Sequence, residues 1–189
     1  MVTTSESRLS PEDKQQLLEI ARKTIEAILQ GKRPPQFPVK SPALQENRGS
    51  FVTLKKQGKL RGCIGYIEPL KPLAQTVQEM AEAAALRDPR FPPVSPEELK
   101  ELVIEISALT PLRKIDRIEE IEVGKHGLFI KRGYYQGLLL PQVACEYHWD
   151  RETFLEQTCH KAGLPAEAWK EEDTEIYLFS AEVFKEGEG

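Results

Sequence analysis

The sequence predicts an α+β fold, and three observations support this prediction. Residues 51–56 and 60–67 alternate as strands on either side of a short turn, which is typical of an antiparallel hairpin. Apolar residues recur at helical spacing in residues 17–29. After Ile118, short strands are broken by glycine. We therefore predict a larger antiparallel sheet flanked by helices and a smaller antiparallel α+β subdomain.

The N-terminal elements are a helix and an extended segment. Ser10 and Pro11, followed by two acidic residues, predict a helix start, because serine caps well, proline suits the first turn and acids stabilise the positive helix end. Gly31 is the predicted end of this helix. Four prolines in residues 32–42 then predict an extended crossing of the surface, since proline cannot continue a helix.

The elements after the hairpin complete the predicted larger lobe. Pro72 restarts the chain into a helix, and residues 88–93 end it as a rigid, proline-rich loop. Ser95 is then placed to cap a second, short helix. Residues 102–109 alternate as a strand whose apolar members should face the core. These members are Leu102, Ile104, Ile106 and Ala108.

The second half of the chain predicts a smaller lobe built on a three-stranded meander. Its predicted strands are residues 121–123, 128–131 and 137–140. Asp150 then caps a helix that ends at Gly163.

The last strand-like run, residues 175–184, is predicted to return to the first sheet. The first and last elements would then flank the meander. We therefore predict that residues 117–172 form a smaller lobe inserted through two connections, able to move relative to the rest. The predicted larger lobe comprises residues 1–116 and 173–189.

Composition restricts the class of protein. The 189 residues are 40% hydrophobic and 30% charged, as in soluble globular proteins, and no apolar run approaches the roughly 18 residues needed to cross a bilayer. The first ten residues lack the apolar core of a signal peptide, so we expect a cytoplasmic protein without membrane association. A net charge of −4 argues against generic nucleic-acid binding. Three cysteines without Cys-x-x-Cys spacing favour free thiols.

Unusual residues cluster on the return strand of the hairpin, in Leu60-Arg61-Gly62-Cys63-Ile64-Gly65. In an extended strand, Arg61, Cys63 and Gly65 share one face, so a guanidinium would stand near a thiol. Glycine inside a strand often marks a close approach to the backbone, so Gly65 should leave an open patch beside Cys63. This segment is therefore the first candidate site.

Cys63 is a candidate catalytic residue, as a nucleophile or redox thiol, because a neighbouring cation stabilises the reactive thiolate. The alternative is a small side chain packed in a tight strand. Arg61 either holds an anionic substrate group or pairs with Asp88 or a glutamate of the same lobe. We expect alkylating reagents to label Cys63 faster than Cys145 and Cys159.

Further candidates lie in the second half. His126, in a glycine-flanked turn, is a candidate acid or base, and a solvated turn residue is the alternative. Gln142 offers amide hydrogen bonds to a substrate or to the following helix.

Four side chains invite a zinc interpretation, namely Cys145, His148, Cys159 and His160. Because the last two point in different directions on a helix, we expect no metal site. We also expect no other cofactor.

The hexapeptide, together with five further motifs, resembles the AMMECR-one domain family over nearly the whole chain. These motifs are residues 51–56, 88–91, 124–128, 139–144 and 161–164. The resemblance implies two α+β lobes with a cleft between them onto which the hexapeptide faces. Our substrate-binding candidates are residues of these motifs, namely Arg61, Gly62, Gly65, Asp88, Arg90, Phe91 and Gln142.

Two function classes stay open. One is an enzyme or enzyme component acting through Cys63, with Arg61 and His126. The other is a non-catalytic binding or adaptor module that uses the same cleft for a peptide, protein or other large ligand, docked by edge pairing and shallow pockets. The resemblance implies a modification pathway with Memo-like and radical-SAM partner proteins. The chain has no Cys-x-x-x-Cys-x-x-Cys cluster, so an iron–sulfur step would belong to a partner.

Overall fold

The structure, a computed structural model, describes residues 8–188, which contain eight strands and five α-helices. The strands are β1 (Ser50–Lys56), β2 (Lys59–Tyr66), β3 (Leu102–Leu109), β4 (Arg113–Ile115), β5 (Gly127–Arg132), β6 (Tyr135–Leu139), β7 (Glu175–Phe179) and β8 (Ala181–Lys185). The helices are α1 (Pro11–Leu29), α2 (Pro42–Gln45), α3 (Leu73–Leu86), α4 (Pro141–Glu146) and α5 (Arg151–Lys161). The strands form two four-stranded antiparallel sheets, which confirms the α+β prediction.

The chain divides into two compact units. Unit 1 comprises residues up to Thr110 and from Ala181, and unit 2 comprises Pro111–Ser180. The first sheet, in the order β2-β1-β3-β8, belongs to unit 1, and the second sheet, in the order β4-β7-β5-β6, belongs to unit 2. No helix within residues 8–188 is both long enough and apolar enough to span a bilayer.

The local sequence explains the helix starts in unit 1. Ser10 Oγ accepts a hydrogen bond from the Asp13 N–H at 3.1 Å, and the Asp13 carboxylate accepts one from the Ser10 N–H at 3.0 Å, which is a capping box. Ser95 and Glu98 form the same arrangement before a 3₁₀ turn, Pro96–Glu101. The predicted helix at this point is therefore a tighter and shorter element.

One face of the first sheet packs with α1 and α3 into a single core. The four alternating residues predicted to face inward from β3 are buried, as are Val52 and Leu54 on β1. Between α1 and α2, the proline-containing segment forms no helix or strand, and three glutamine side chains donate hydrogen bonds to its carbonyl oxygens. Gln78, for example, donates to the carbonyl of Pro35 at 3.0 Å. The other face of the sheet presents Thr53 and Lys55 of β1 and Glu105 and Ser107 of β3.

The predicted meander of unit 2 is wrong. Residues 121–123 form no strand, β5 and β6 form a hairpin, and the third partner is β7, which pairs with β5. The run predicted to return whole to the first sheet is two strands, because Ser180 alone separates β7 in the second sheet from β8 in the first. The change of sheet depends on long-range pairing, which alternation along one strand does not reveal.

Candidate functional site

The hexapeptide lies on β2, which is an edge strand of the first sheet. The register pairs Thr53 with Cys63 but Lys55 with Leu60, so Arg61 is one extra residue that forms a β-bulge. The bulge interrupts the alternation of faces. The expectation that Arg61 and Cys63 share a face is therefore wrong, and Leu60 takes the face of Cys63 instead.

Arg61 is engaged by its own unit. Its Nε and Nη2 atoms each lie 3.0 Å from a carboxylate oxygen of Glu98, and the guanidinium carbon lies 6.0 Å from the ring centroid of Phe91. The side chain is only 12% exposed. Arg61, together with the N–H of Ser95, lowers the pKa of Glu98 to about 2. Of the two roles considered for Arg61, the structure shows the ion pair, and an anionic ligand would have to displace Glu98.

Cys63 is half-buried and is held at three points. The Thr53 hydroxyl donates to its Sγ at 3.2 Å, and its N–H donates to Asp88 Oδ2 at 2.9 Å. Arg90 Nη2 donates to its carbonyl oxygen at 3.4 Å. The Asp88 side chain is only 2% exposed, and hydrogen bonds from Arg90 and from the Cys63 N–H hold its pKa well below the usual range. The backbone and the sulfur of Cys63 therefore have a fixed position.

Both glycines of the hexapeptide have a packing reason. A Cβ on Gly62 would lie 2.3 Å from the Ala84 carbonyl oxygen on α3. A Cβ on Gly65 would lie 2.4 Å from Cγ of the Phe51 ring. The expectation of an open patch at Gly65 is therefore wrong, because Phe51 fills that space. Glycine at these positions lets a helix and a ring approach the strand closely.

The face that carries Cys63 also presents polar residues that the sequence analysis missed. Cys63 lies opposite Thr53 on β1, and Thr53 lies opposite Glu105 on β3. Lys55 Nζ lies 2.8 Å from a carboxylate oxygen of Glu105. Alternation within residues 51–56 places Thr53 and Lys55 on the face opposite the buried valine and leucine, which was a usable signal. Alternation within residues 102–109 places Glu105 on the face opposite the core, but its position opposite Thr53 depends on the β1–β3 register, for which the sequence has no local signal.

The remaining candidates lie in unit 2. His126 is only 6% exposed, and its Nδ1 accepts a hydrogen bond from the Glu122 N–H at 3.1 Å. The alternative of a solvated turn residue is therefore wrong, because the imidazole is buried. Gln142 is exposed in the first turn of α4. Cys145 is exposed, and Cys159 is buried, which raises the pKa of its thiol. Within residues 8–188, no group of three or more histidine, cysteine or acidic side chains is arranged to hold a metal ion.

Comparison with known proteins identifies the family of this chain. A family model described as AMMECR1 matches residues 18–184. The chain belongs to the AMMECR1 family. This confirms the resemblance to the AMMECR-one domain family, which is the same family.

Relatives in the AMMECR1 family match over almost their full length. A protein of Methanothermobacter thermautotrophicus is 47% identical over 185 residues, which cover 94% of this chain and 96% of that protein. A protein of Pyrococcus furiosus is 45% identical over 184 residues, covering 90% and 86%. The crystal structure of an uncharacterized protein from Pyrococcus horikoshii matches with a TM-score of 0.74 and 44% identity, covering 95% of this chain and 94% of that one.

Proposed function

We propose that this AMMECR1 protein binds a protein partner or substrate at residues 60–65, as the recognition component of a modification pathway with Memo-like and radical-SAM proteins. The position of Cys63 supports this proposal. Cys63 is half-buried, and hydrogen bonds hold its backbone N–H, its backbone carbonyl and its sulfur. It lies within the six-residue motif on β2. Packing alone does not require so many contacts, whereas a binding surface benefits from rigid contact groups.

The charges around Cys63 favour binding over catalysis. The Arg61 guanidinium is paired with Glu98, the Arg90 guanidinium with Asp88, and Lys55 with Glu105. All three histidines of the chain occur between residues 126 and 160, in unit 2. Unit 1 therefore contains a thiol but no imidazole of its own to act as a base.

A thiol-dependent reaction is the second candidate function. The observation that favours it is the hydrogen bond from the Thr53 hydroxyl to Cys63 Sγ, because it directs a donor at the sulfur.

The binding proposal is tested with the purified chain and purified Memo-like and radical-SAM proteins. We expect a measurable complex by biolayer interferometry, weakened at least tenfold, or about 1.4 kcal/mol, by Thr53→Tyr, which adds bulk beside Cys63. Cys63→Ser should retain most of the affinity, and Cys145→Ser in unit 2 is the matched control. A covalent adduct found on wild type and lost in Cys63→Ser would favour the thiol reaction instead. Unchanged binding by Thr53→Tyr would refute the location.

Thiol labelling separates the two proposals in the isolated protein. The earlier expectation that Cys63 reacts first depended partly on access beside Gly65, which Phe51 fills. Exposure now predicts the order Cys145, then Cys63, then Cys159, whose buried thiol has a raised pKa. Timed iodoacetamide labelling, followed by mass spectrometry of the three peptides, measures this order. Faster labelling at Cys63 than at Cys145 would support a nucleophilic thiol.

A further inference from the structure

The edge of the first sheet at Cys63 is covered by side chains. In an antiparallel sheet, every second residue of an edge strand directs its N–H and C=O away from the sheet, where another strand could pair. Cys63 is such a residue, because its N–H and C=O meet Asp88 and Arg90 rather than β1. Left uncovered, these groups would form a template for strand addition.

Asp88 supplies a hydrogen-bond acceptor and Arg90 supplies a donor to Cys63. An added strand would supply a carbonyl and an N–H at the same two places. The Asp88 carboxylate accepts from the Cys63 N–H, and the Arg90 guanidinium donates to the Cys63 carbonyl. Arg90 also holds Asp88 in place, with Nε 3.0 Å from Oδ1 and Nη2 2.7 Å from Oδ2. The Arg90 N–H donates to the same carboxylate at 3.1 Å. The two side chains therefore form one rigid unit that imitates the hydrogen bonds of a neighbouring strand.

The loop around this pair resists strand addition as well. Pro89, Pro92 and Pro93 are exposed and have no N–H to offer a new strand. The Pro93 carbonyl accepts from Arg61 Nη2 at 3.4 Å, at the bulge. Bulges, prolines and charged side chains are the features by which natural sheets keep their edges closed. Here all three occur within one stretch of β2 and the loop that covers it.

We infer that Asp88 and Arg90 form an edge cap, which closes β2 to strand addition at Cys63 and keeps copies of this chain from pairing edge to edge. The inference does not depend on the proposed function. It replaces the expectation that a polypeptide docks here by edge pairing. A ligand of Cys63 has to approach over the face that carries Thr53 and Glu105 instead.

Amide hydrogen exchange in the wild-type protein is the first test. We expect the Cys63 N–H to be protected although it lies on the outer side of an edge strand, because Asp88 accepts its hydrogen bond. In the double variant Asp88→Ala/Arg90→Ala, this amide should exchange about tenfold faster or more. Sedimentation velocity should then show a mass that rises with protein concentration, while wild type shows none.

The matched control is Glu82→Ala/Arg87→Ala. This pair, 3.4 Å apart at the end of α3, carries the same two charges, but its ion pair joins two residues near the C-terminus of α3 rather than residues of β2. The control should keep both the protection of Cys63 and the wild-type mass. Asp88→Asn retains an acceptor oxygen, so it should keep the protection within a few-fold even if the double variant fails to fold. A Cys63 amide that exchanges freely in wild type would overturn the inference, as would a folded double variant whose protection and mass equal those of the control.

Discussion

Replacing Gly62 with alanine is expected to lower the free energy of unfolding by about 3 kcal/mol. The new Cβ would lie 2.3 Å from the Ala84 carbonyl oxygen, which belongs to the backbone of α3 and cannot rotate away. Either β2 or α3 has to move, and both belong to the core of unit 1. Urea denaturation followed by circular dichroism measures the change in midpoint.

Gly58 provides the control for this substitution. It lies in the β1–β2 turn with φ +76°, and a Cβ there meets nothing within 4 Å. Gly58→Asn, which tolerates the left-handed backbone, should cost less than about 1 kcal/mol. If Gly62→Ala is as mild as Gly58→Asn, the close contact between β2 and α3 is not tight in solution.

Lowering the pH is expected to destabilise unit 1 through Glu98. Its folded-state pKa of about 2 lies below the ordinary value of 4.5, because Arg61 binds the ionised carboxylate. The ionised Glu98 therefore contributes its full stabilisation above the ordinary pKa, and this stabilisation is lost as the pH falls towards 2. We expect the free energy of unfolding to fall by about 2 kcal/mol. This is less than the pKa shift alone would give, because the Glu98 side chain is 18% exposed and solvent weakens the ion pair. Asp88, whose pKa is also lowered, adds to the loss in the same direction.

The pH profile of Glu98→Gln tests this assignment. The variant should be less stable than wild type at pH 7, and the difference should shrink as the pH falls below about 4. Glu101→Gln is the control, because Glu101 belongs to the same 3₁₀ turn and contacts Lys56 rather than Arg61. Parallel profiles for wild type and Glu98→Gln, measured by urea denaturation from pH 7 to 2.5, would contradict the role of this pair.

Local patterns predicted most of unit 1. Ser10, the hairpin and the alternation of residues 102–109 each carry their signal within a few residues, and each element appears where it was predicted. The division of residues 175–184 between two sheets had no such signal, because both halves alternate and only pairing partners distinguish them. The meander failed for the same reason, since β7 supplies the neighbour that residues 121–123 were expected to supply.

The sequence predicted where the candidate site lies but not the contacts within it. The motif led to Cys63, Asp88 and Arg90, which the structure brings together. One bulged residue turned Arg61 away from the face of Cys63, and an extra residue in a strand is invisible until the register is known. Arg48 shows the same limit in the core. It precedes β1 as an ordinary charged residue, but it is 1% exposed and its Nε donates to the Leu109 carbonyl.

The pairing of β3 with β8 also determines the order in which the chain can fold. All of unit 2 lies between these two neighbours, so unit 1 leaves the ribosome first as three strands whose β3 edge lacks its partner. Within unit 2, Arg113 pairs with Leu178, which holds the two ends of the insertion side by side. Folding of unit 2 therefore shortens the loop that β8 has to close and lowers its entropic cost. Mutations that delay unit 2 should slow the completion of the first sheet and lengthen the time for which β3 is open to aggregation.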